Sequence, residues 1–258
     1  MSNTTHKDLI VDQFSKQATP FSTAKTIADE KALQLLIDSV GAGPADTVLD
    51  VACGGGNVVC AFAGVVQHAT GIDMTPAMVD RASRMAAEKG LSNVTWDRGD
   101  VVSLPYPDGA FSIVVTRFSF HHFPDPLVVL MEMKRVCAPG GRVLVADMHT
   151  SVDQAQADAF NLMELLRDPS HVRVLHLEEL KSLFAAAGLR PPRVIFYELR
   201  DELENLLGRS FPNPGDDDRI RQIFRSSARD NRLGIPIRLE GGRIHYAYPV
   251  AVLASGRS

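Results

Sequence analysis

The sequence predicts an α/β fold in which short strands, mostly parallel, alternate with helices. Three features predict it. Between residues 47 and 148 brief apolar runs alternate with stretches of helical periodicity. Alternation of that kind implies βαβ units with right-handed crossovers. The first apolar run, "TVLDV" at 47–51, leads directly into Gly54, Gly55 and Gly56, a run of bare backbone where a strand should hand over to a helix. Later segments carry helix punctuation: Thr75 and Pro76 open a helix over 76–90, Met78, Ala82 and Met85 share one of its faces, and Gly90 ends it.

Each further element follows from local pattern. After the glycines a helical stretch runs to His68, and "ATGID" (69–73) reads as the second strand. "NVTW" (93–96), "FSIVVT" (111–116) and "GRVLVADM" (141–148) read as the next three, with a helix over 127–137 before the last. Beyond them 155–166 and 177–187 look helical, "RVIFYEL" (193–199) extended, and 220–229 amphipathic. "IHYAYPVAVLAS" (244–255) reads as a final strand, and Pro249 inside it implies an edge or a bulge. "DQFSKQATPFS" (12–22) is expected to precede the first regular helix.

Composition narrows the function. The 258 residues are 45 % hydrophobic and 22 % charged, ordinary for one α/β domain with a solid core. A formal charge of -4 opposes a nucleic-acid partner, which usually meets a basic face. Cys53, Cys60 and Cys137 lack metal-type or disulfide-type spacing and read as reduced thiols of a cytoplasmic protein. The polar start lacks a signal-like apolar segment, and no stretch approaches the ~20 apolar residues of a membrane span. No metal site is expected, since Cys137 is isolated and the two adjacent histidines are not helix-spaced ligands.

The glycine run admits three ligand classes. A triphosphate loop needs Lys then Ser or Thr after the glycines, and Asn57 and Val58 stand there. A dinucleotide loop needs a third small residue where Val59 falls. The third class is S-adenosylmethionine (SAM). "LDVACGGG" (49–56), "GIDMTPAMVDRA" (71–82), "RGDVVSLPYPDGAFSIVVTRFSFHHFPDP" (98–126) and "MKRVCAPGGRVLVADM" (133–148) together resemble the class I SAM-dependent methyltransferases. The subgroup most similar is the small-molecule type related to the ubiquinone/menaquinone-biosynthesis enzymes. Ala52 stands where that family has its first glycine.

The resemblance implies a Rossmann-like, doubly wound seven-stranded sheet of order 3-2-1-4-5-7-6, its last strand antiparallel, with helical cap insertions. It implies one domain: a helical lid (1–45), a SAM-binding core (46–150), cap helices with the sixth strand (151–242) and the final strand (243–258). The cofactor would meet Asp50, Ala52, Gly54, Gly56, Asp73, Met74, Asp100, Val101 and Arg117. Asp50 would orient the ammonium, Asp73 take the ribose hydroxyls and Asp100 the adenine amine, with Val101 and Met74 packing the ring. Each acid alone is as well explained as a turn or cap residue; three at successive strand ends are not.

The reaction implied is methyl transfer to an O, N or C nucleophile of a small metabolite, releasing S-adenosylhomocysteine. His121 and His122 are candidate bases. Phe14 and Phe21 on the lid, and His171 and Arg173 in a Pro-turned loop, are candidate substrate contacts. Alternatives are a non-catalytic SAM-binding protein and an NAD(P)-dependent oxidoreductase. The arginines at 219, 221, 225, 229, 232, 238 and 243 read better as a solvated face than as an anion site. The partner expected is a small molecule, with a homodimer left open.

Overall fold

A computed structural model describes residues 5–257. The strands are β1 Thr47–Val51, β2 His68–Asp73, β3 Val94–Arg98, β4 Phe111–Arg117, β5 Cys137–Met148, β6 Arg193–Glu202, β7 Ile237–Glu240 and β8 Arg243–Gly256. The helices are α1 His6–Ser22, α2 Glu30–Val40, α3 Asn57–Ala63, α4 Pro76–Glu88, α5 Pro126–Val136, α6 Gln154–Arg167, α7 Leu177–Ala186, α8 Leu203–Gly208 and α9 Asp216–Asp230. The sheet runs β3-β2-β1-β4-β5-β8-β6, the predicted order once the extra hairpin strand β7 is counted. The first five strands pair in parallel, and β8 runs antiparallel to both β5 and β6.

Burial explains the layers. β1, β4 and β5 are apolar on both faces because helices cover both. Leu36, Val59 and Phe62 of α2 and α3 fill one side, while Leu130, Met133, Leu180 and Phe184 of α5 and α7 fill the other. Fully burying a side chain such as Phe62 or Phe184 contributes ~1.5–3 kcal/mol relative to exposure. A third cluster lies past the end of β5, where Phe160, Met163, Leu203, Leu206, Ile220 and Phe224 pack on Tyr246, Tyr248 and Val250.

Four expectations are corrected. Residues 12–22 do not precede the first helix but form most of α1, because a Thr5–Asp8 capping box starts that helix upstream. Thr75 makes no side-chain cap; its N–H instead donates to Asp73 Oδ1 at 2.8 Å. The amphipathic helix at 220–229 begins earlier, at Asp216, where three acids occupy the first turn. Pro249 lies in an interior strand, between β5 and β6, rather than at the sheet edge. Its carbonyl faces β5 and accepts from His149 N–H, so its missing N–H faces the same way. There the β5 ladder has ended at Met148, and β7 takes over the same edge of β8 only from Tyr246 onward. The proline occupies the gap between two partners and breaks no ladder bond.

Candidate functional site

Chain reversals at the carboxyl ends of β1, β2 and β4 build the site. After β1, Ala52 adopts φ +57° and Gly54 φ +51°, a left-handed pair that turns the chain toward α3. Gly55 passes so close to α1 that a Cβ there would meet Ser22 Cβ at 2.4 Å. Asn57 Nδ2 donates to the Ser22 carbonyl, tying the same loop to the end of α1. Asp73, at the end of β2, accepts from Gly54 N–H at 2.9 Å and from Thr75 N–H, so the glycine loop is held by the next strand's acid.

These reversals border a cavity lined by Asp50, Ala52, Gly54, Asp73, Met74, Val101, Arg117 and His122. Helix α1 covers it with Phe14 and Phe21. Asp50 is buried and its Oδ2 has no partner. Burial, and then the Asp73 charge, hold its carboxyl well above the usual carboxylate range, with Arg117 opposing. Arg117 donates to the Ile27 carbonyl and to the Tyr197 hydroxyl, so it fastens the chain after α1 to the sheet.

Two of the sequence candidates stand off this wall. Gly56, at φ +88°, has no place on the cavity; a Cβ there would come within 2.7 Å of the Trp96 ring and 2.8 Å of Ala82 Cβ. It permits α4 and β3 to close over the start of α3. The Asp100 carboxylate also lies outside the lining and is paired with Lys7 of α1. Burial raises its pKa, but the Lys7 and Val102 hydrogen bonds outweigh that and the net direction is down.

A second chamber shares Phe14, Phe21, Ile27, Phe118 and His122 with the first. His121 and His122, in the 3-10 turn Phe120–His122, both line it. His121 Nδ1 donates to Asp147 Oδ1 at 2.7 Å, and Asp147 is fixed in turn by the N–H groups of His121 and Met148. Burial lowers the His121 pKa, yet the Asp147 charge and hydrogen bond prevail and it is raised. His122 Nδ1 donates to the Ser170 carbonyl at 3.0 Å, and burial together with His121 lowers its pKa to about 4. His122 is therefore neutral at physiological pH, with Nε2 unprotonated.

The loop after α6 supports the chamber rather than entering it with the predicted side chains. His171 is buried against Asn161, donating from Nε2 at 2.9 Å, and lines neither cavity. Arg173 points away and pairs with Glu179. The residues that do enter were missed by sequence reading: Gln17, Arg167, Asp168, Arg209, Tyr246 and Tyr248. Gln17 Nε2 donates to Asp168 Oδ2 at 2.9 Å, and Arg167 is held by Glu164, which also accepts from the Tyr248 hydroxyl. Buried polar residues at helical or strand spacing would have been the only signal. Of the surface arginines, Arg219 pairs with Asp216, Arg221 with Glu204, Arg232 with Asp230 and Arg243 with Glu202.

Comparison with known proteins settles the family. A methyltransferase-domain model matches residues 49–145. The uncharacterised methyltransferase YcgJ of Bacillus subtilis is 38 % identical over 176 residues, 68 % of this chain and 70 % of that protein. The chain belongs to the class I SAM-dependent methyltransferases. A crystal structure of YcgJ agrees, with TM-score 0.81 at 30 % identity over 88 % of this chain and 98 % of that one. The ubiquinone/menaquinone-biosynthesis C-methyltransferase UbiE of Bdellovibrio bacteriovorus is 32 % identical over 154 residues, covering 57 % and 65 % of the two chains. For a methyltransferase of this family the cavity residues fit the cofactor: a buried acid with an unpartnered oxygen suits an ammonium, and the bare backbone at Gly54 admits close approach. Among the described residues no helix is long and apolar enough to cross a membrane.

Proposed function

We propose that the protein methylates a nucleophile of a small metabolite, with SAM in the larger cavity and the acceptor in the adjoining chamber. What carries this reading is one juxtaposition. The cavity lined by Asp50, whose buried Oδ2 has no partner, shares Phe14, Phe118 and His122 with a chamber lined by His121, which Asp147 holds through Nδ1. Bound SAM supplies an electrophilic methyl group on a sulfonium.

The chain's own residues then have distinct tasks. Asp50 holds an ammonium, Asp73 presents its carboxylate to vicinal hydroxyls while braced by two N–H donors, and Met74 and Val101 pack a flat ring. Phe14 and Phe21 exclude water, and their faces suit a sulfonium. Asp147 orients His121 through Nδ1, which leaves Nε2 to take a proton from an acceptor hydroxyl or amine. Held in place, an acceptor gains up to ~7–11 kcal/mol from proximity alone.

Calorimetry with SAM, S-adenosylhomocysteine and NADH tests the reading. Both sulfur ligands should bind in the micromolar range, and Asp73→Ala should weaken them at least a hundredfold, about 2.7 kcal/mol. Binding of NADH with none of either sulfur ligand would sink it.

A further inference from the structure

We propose that Tyr246 and Arg209 form an anchoring subsite for an uncharged oxygen at the end of the acceptor remote from the transferred methyl. The inference rests on the acceptor reading of the inner chamber and assigns that chamber a specificity.

Tyr246 is 3 % exposed and lines the chamber, yet its hydroxyl has no hydrogen-bond partner. A buried hydroxyl left unpaired is costly, so such a group marks a place where a partner is expected to arrive. The ring is fixed, which makes the hydroxyl a preset donor: its centroid lies 4.5 Å from that of Tyr248 in a tilted contact and 5.5 Å from that of Phe224 edge-on. Tyr248 by contrast is satisfied, because it donates to Glu164. Of the two neighbouring phenols only one waits for a ligand.

Arg209 lines the same chamber. It commits Nη1 to Asp201 at 2.7 Å and to the Asn205 carbonyl, which leaves its other N–H groups for an acceptor atom in the chamber. The charges indicate what that atom belongs to. Arg209 is neutralised by Asp201 and Arg167 by Glu164, and Asp168 adds a further acid on the wall. An anionic ligand group would find no uncompensated cation and would face Asp168, so an uncharged hydroxyl or carbonyl fits better.

Position separates this subsite from the reacting end. Val250 of β8 pairs with Met148, the residue after Asp147. Tyr246 lies four residues further along the same face of the same strand, roughly 13 Å away at the strand rise per residue. The rest of the chamber wall includes Phe14, Phe21, Phe118, Leu199 and Leu206, which suits a flat apolar body. The acceptor described is thus a ring compound with the nucleophile at one end and a neutral oxygen at the other.

Three probes test it: 2-naphthol, 2,6-dihydroxynaphthalene and 6-hydroxy-2-naphthoate, titrated calorimetrically into protein saturated with S-adenosylhomocysteine. The diol should bind at least tenfold tighter than 2-naphthol, well beyond the factor of two from its symmetry, and the naphthoate should bind no tighter than 2-naphthol. Tyr246→Phe keeps the stacked ring and removes one oxygen; it should cut the diol preference at least fivefold, with affinity for S-adenosylhomocysteine unchanged as the check on folding. Equal binding of diol and 2-naphthol, a preference that survives Tyr246→Phe, tightest binding of the naphthoate, or no binding of any probe would each overturn the proposal. Loss of S-adenosylhomocysteine binding in the unaltered protein would instead overturn the cofactor reading, which the naphthol ratios do not address.

Discussion

The two neighbouring cavities share one wall and differ in the rest. Under its α1 cover, the larger is floored by strand ends: Asp50, Ala52 to Gly55, Asp73 and Met74 come from the turns after β1 and β2, and Val101 from the β3–β4 loop. The smaller is made of side chains drawn from α1, the 3-10 turn, α6, α8 and β8, with Gln17 bonded to Asp168 across 151 positions of sequence. A ligand common to a family can be met by main chain that many side chains tolerate. A ligand particular to one member has to be met by side chains, and here those belong to the helices packed outside the parallel sheet.

The comparison can be broken most sharply at His121. His121→Gln is expected to lower kcat by about 10²–10⁴-fold while S-adenosylhomocysteine affinity stays within twofold, because the ring lines only the acceptor chamber. The pH profile sharpens this. The basic form of His121 accumulates only as pH rises through its raised pKa, so kcat should climb with pH above about 6.5, and that limb should vanish in the variant. A loss of cofactor affinity equal to the loss of rate would mean that the two cavities are not separate in function.

A smaller effect is expected on the backbone-built side. Gly56→Ala should destabilise the fold by about 2–4 kcal/mol in urea unfolding, combining strain at φ +88° with a clash against Trp96 and Ala82. A loss below 1 kcal/mol would show that the βα turns give way more easily than their packing implies. The smallest effect concerns the lid. Lys7→Ala removes a half-exposed ion pair worth about 0.2–1 kcal/mol and frees the Asp100 carboxylate. S-adenosylhomocysteine affinity should rise by up to fivefold at low salt and by less at high salt; a fall would mean that Lys7 itself serves the cofactor.

Much of this was legible along the chain. Alternating apolar runs, Pro76 and Pro126 at first helical turns, and the glycines after β1 are local signals, and local signals specify strands, helices and the turns between them. The run from Leu49 to Met148 therefore disclosed the sheet order, the family and the strand-end acids together. What it could not disclose was which of those acids meets the cavity. Asp100 carries the expected motif, but α1 reaches over to engage it through Lys7, a contact between residues 93 apart.

The amino-acid sequence by itself determined the doubly wound sheet and the glycine turn, because both follow from periodicity and from residues adjacent in the chain. Only the tertiary structure decided the acceptor chamber. Its Tyr246 sits on β8, a strand inserted between β5 and β6, and residues of α6, α8 and α9 pack against it there. The predicted contacts His171 and Arg173 turn away, His171 to Asn161 through Nε2 and Arg173 to Glu179. Buried polar groups are assigned by whichever partners packing brings within bonding distance, and that pairing has no period for a sequence to display.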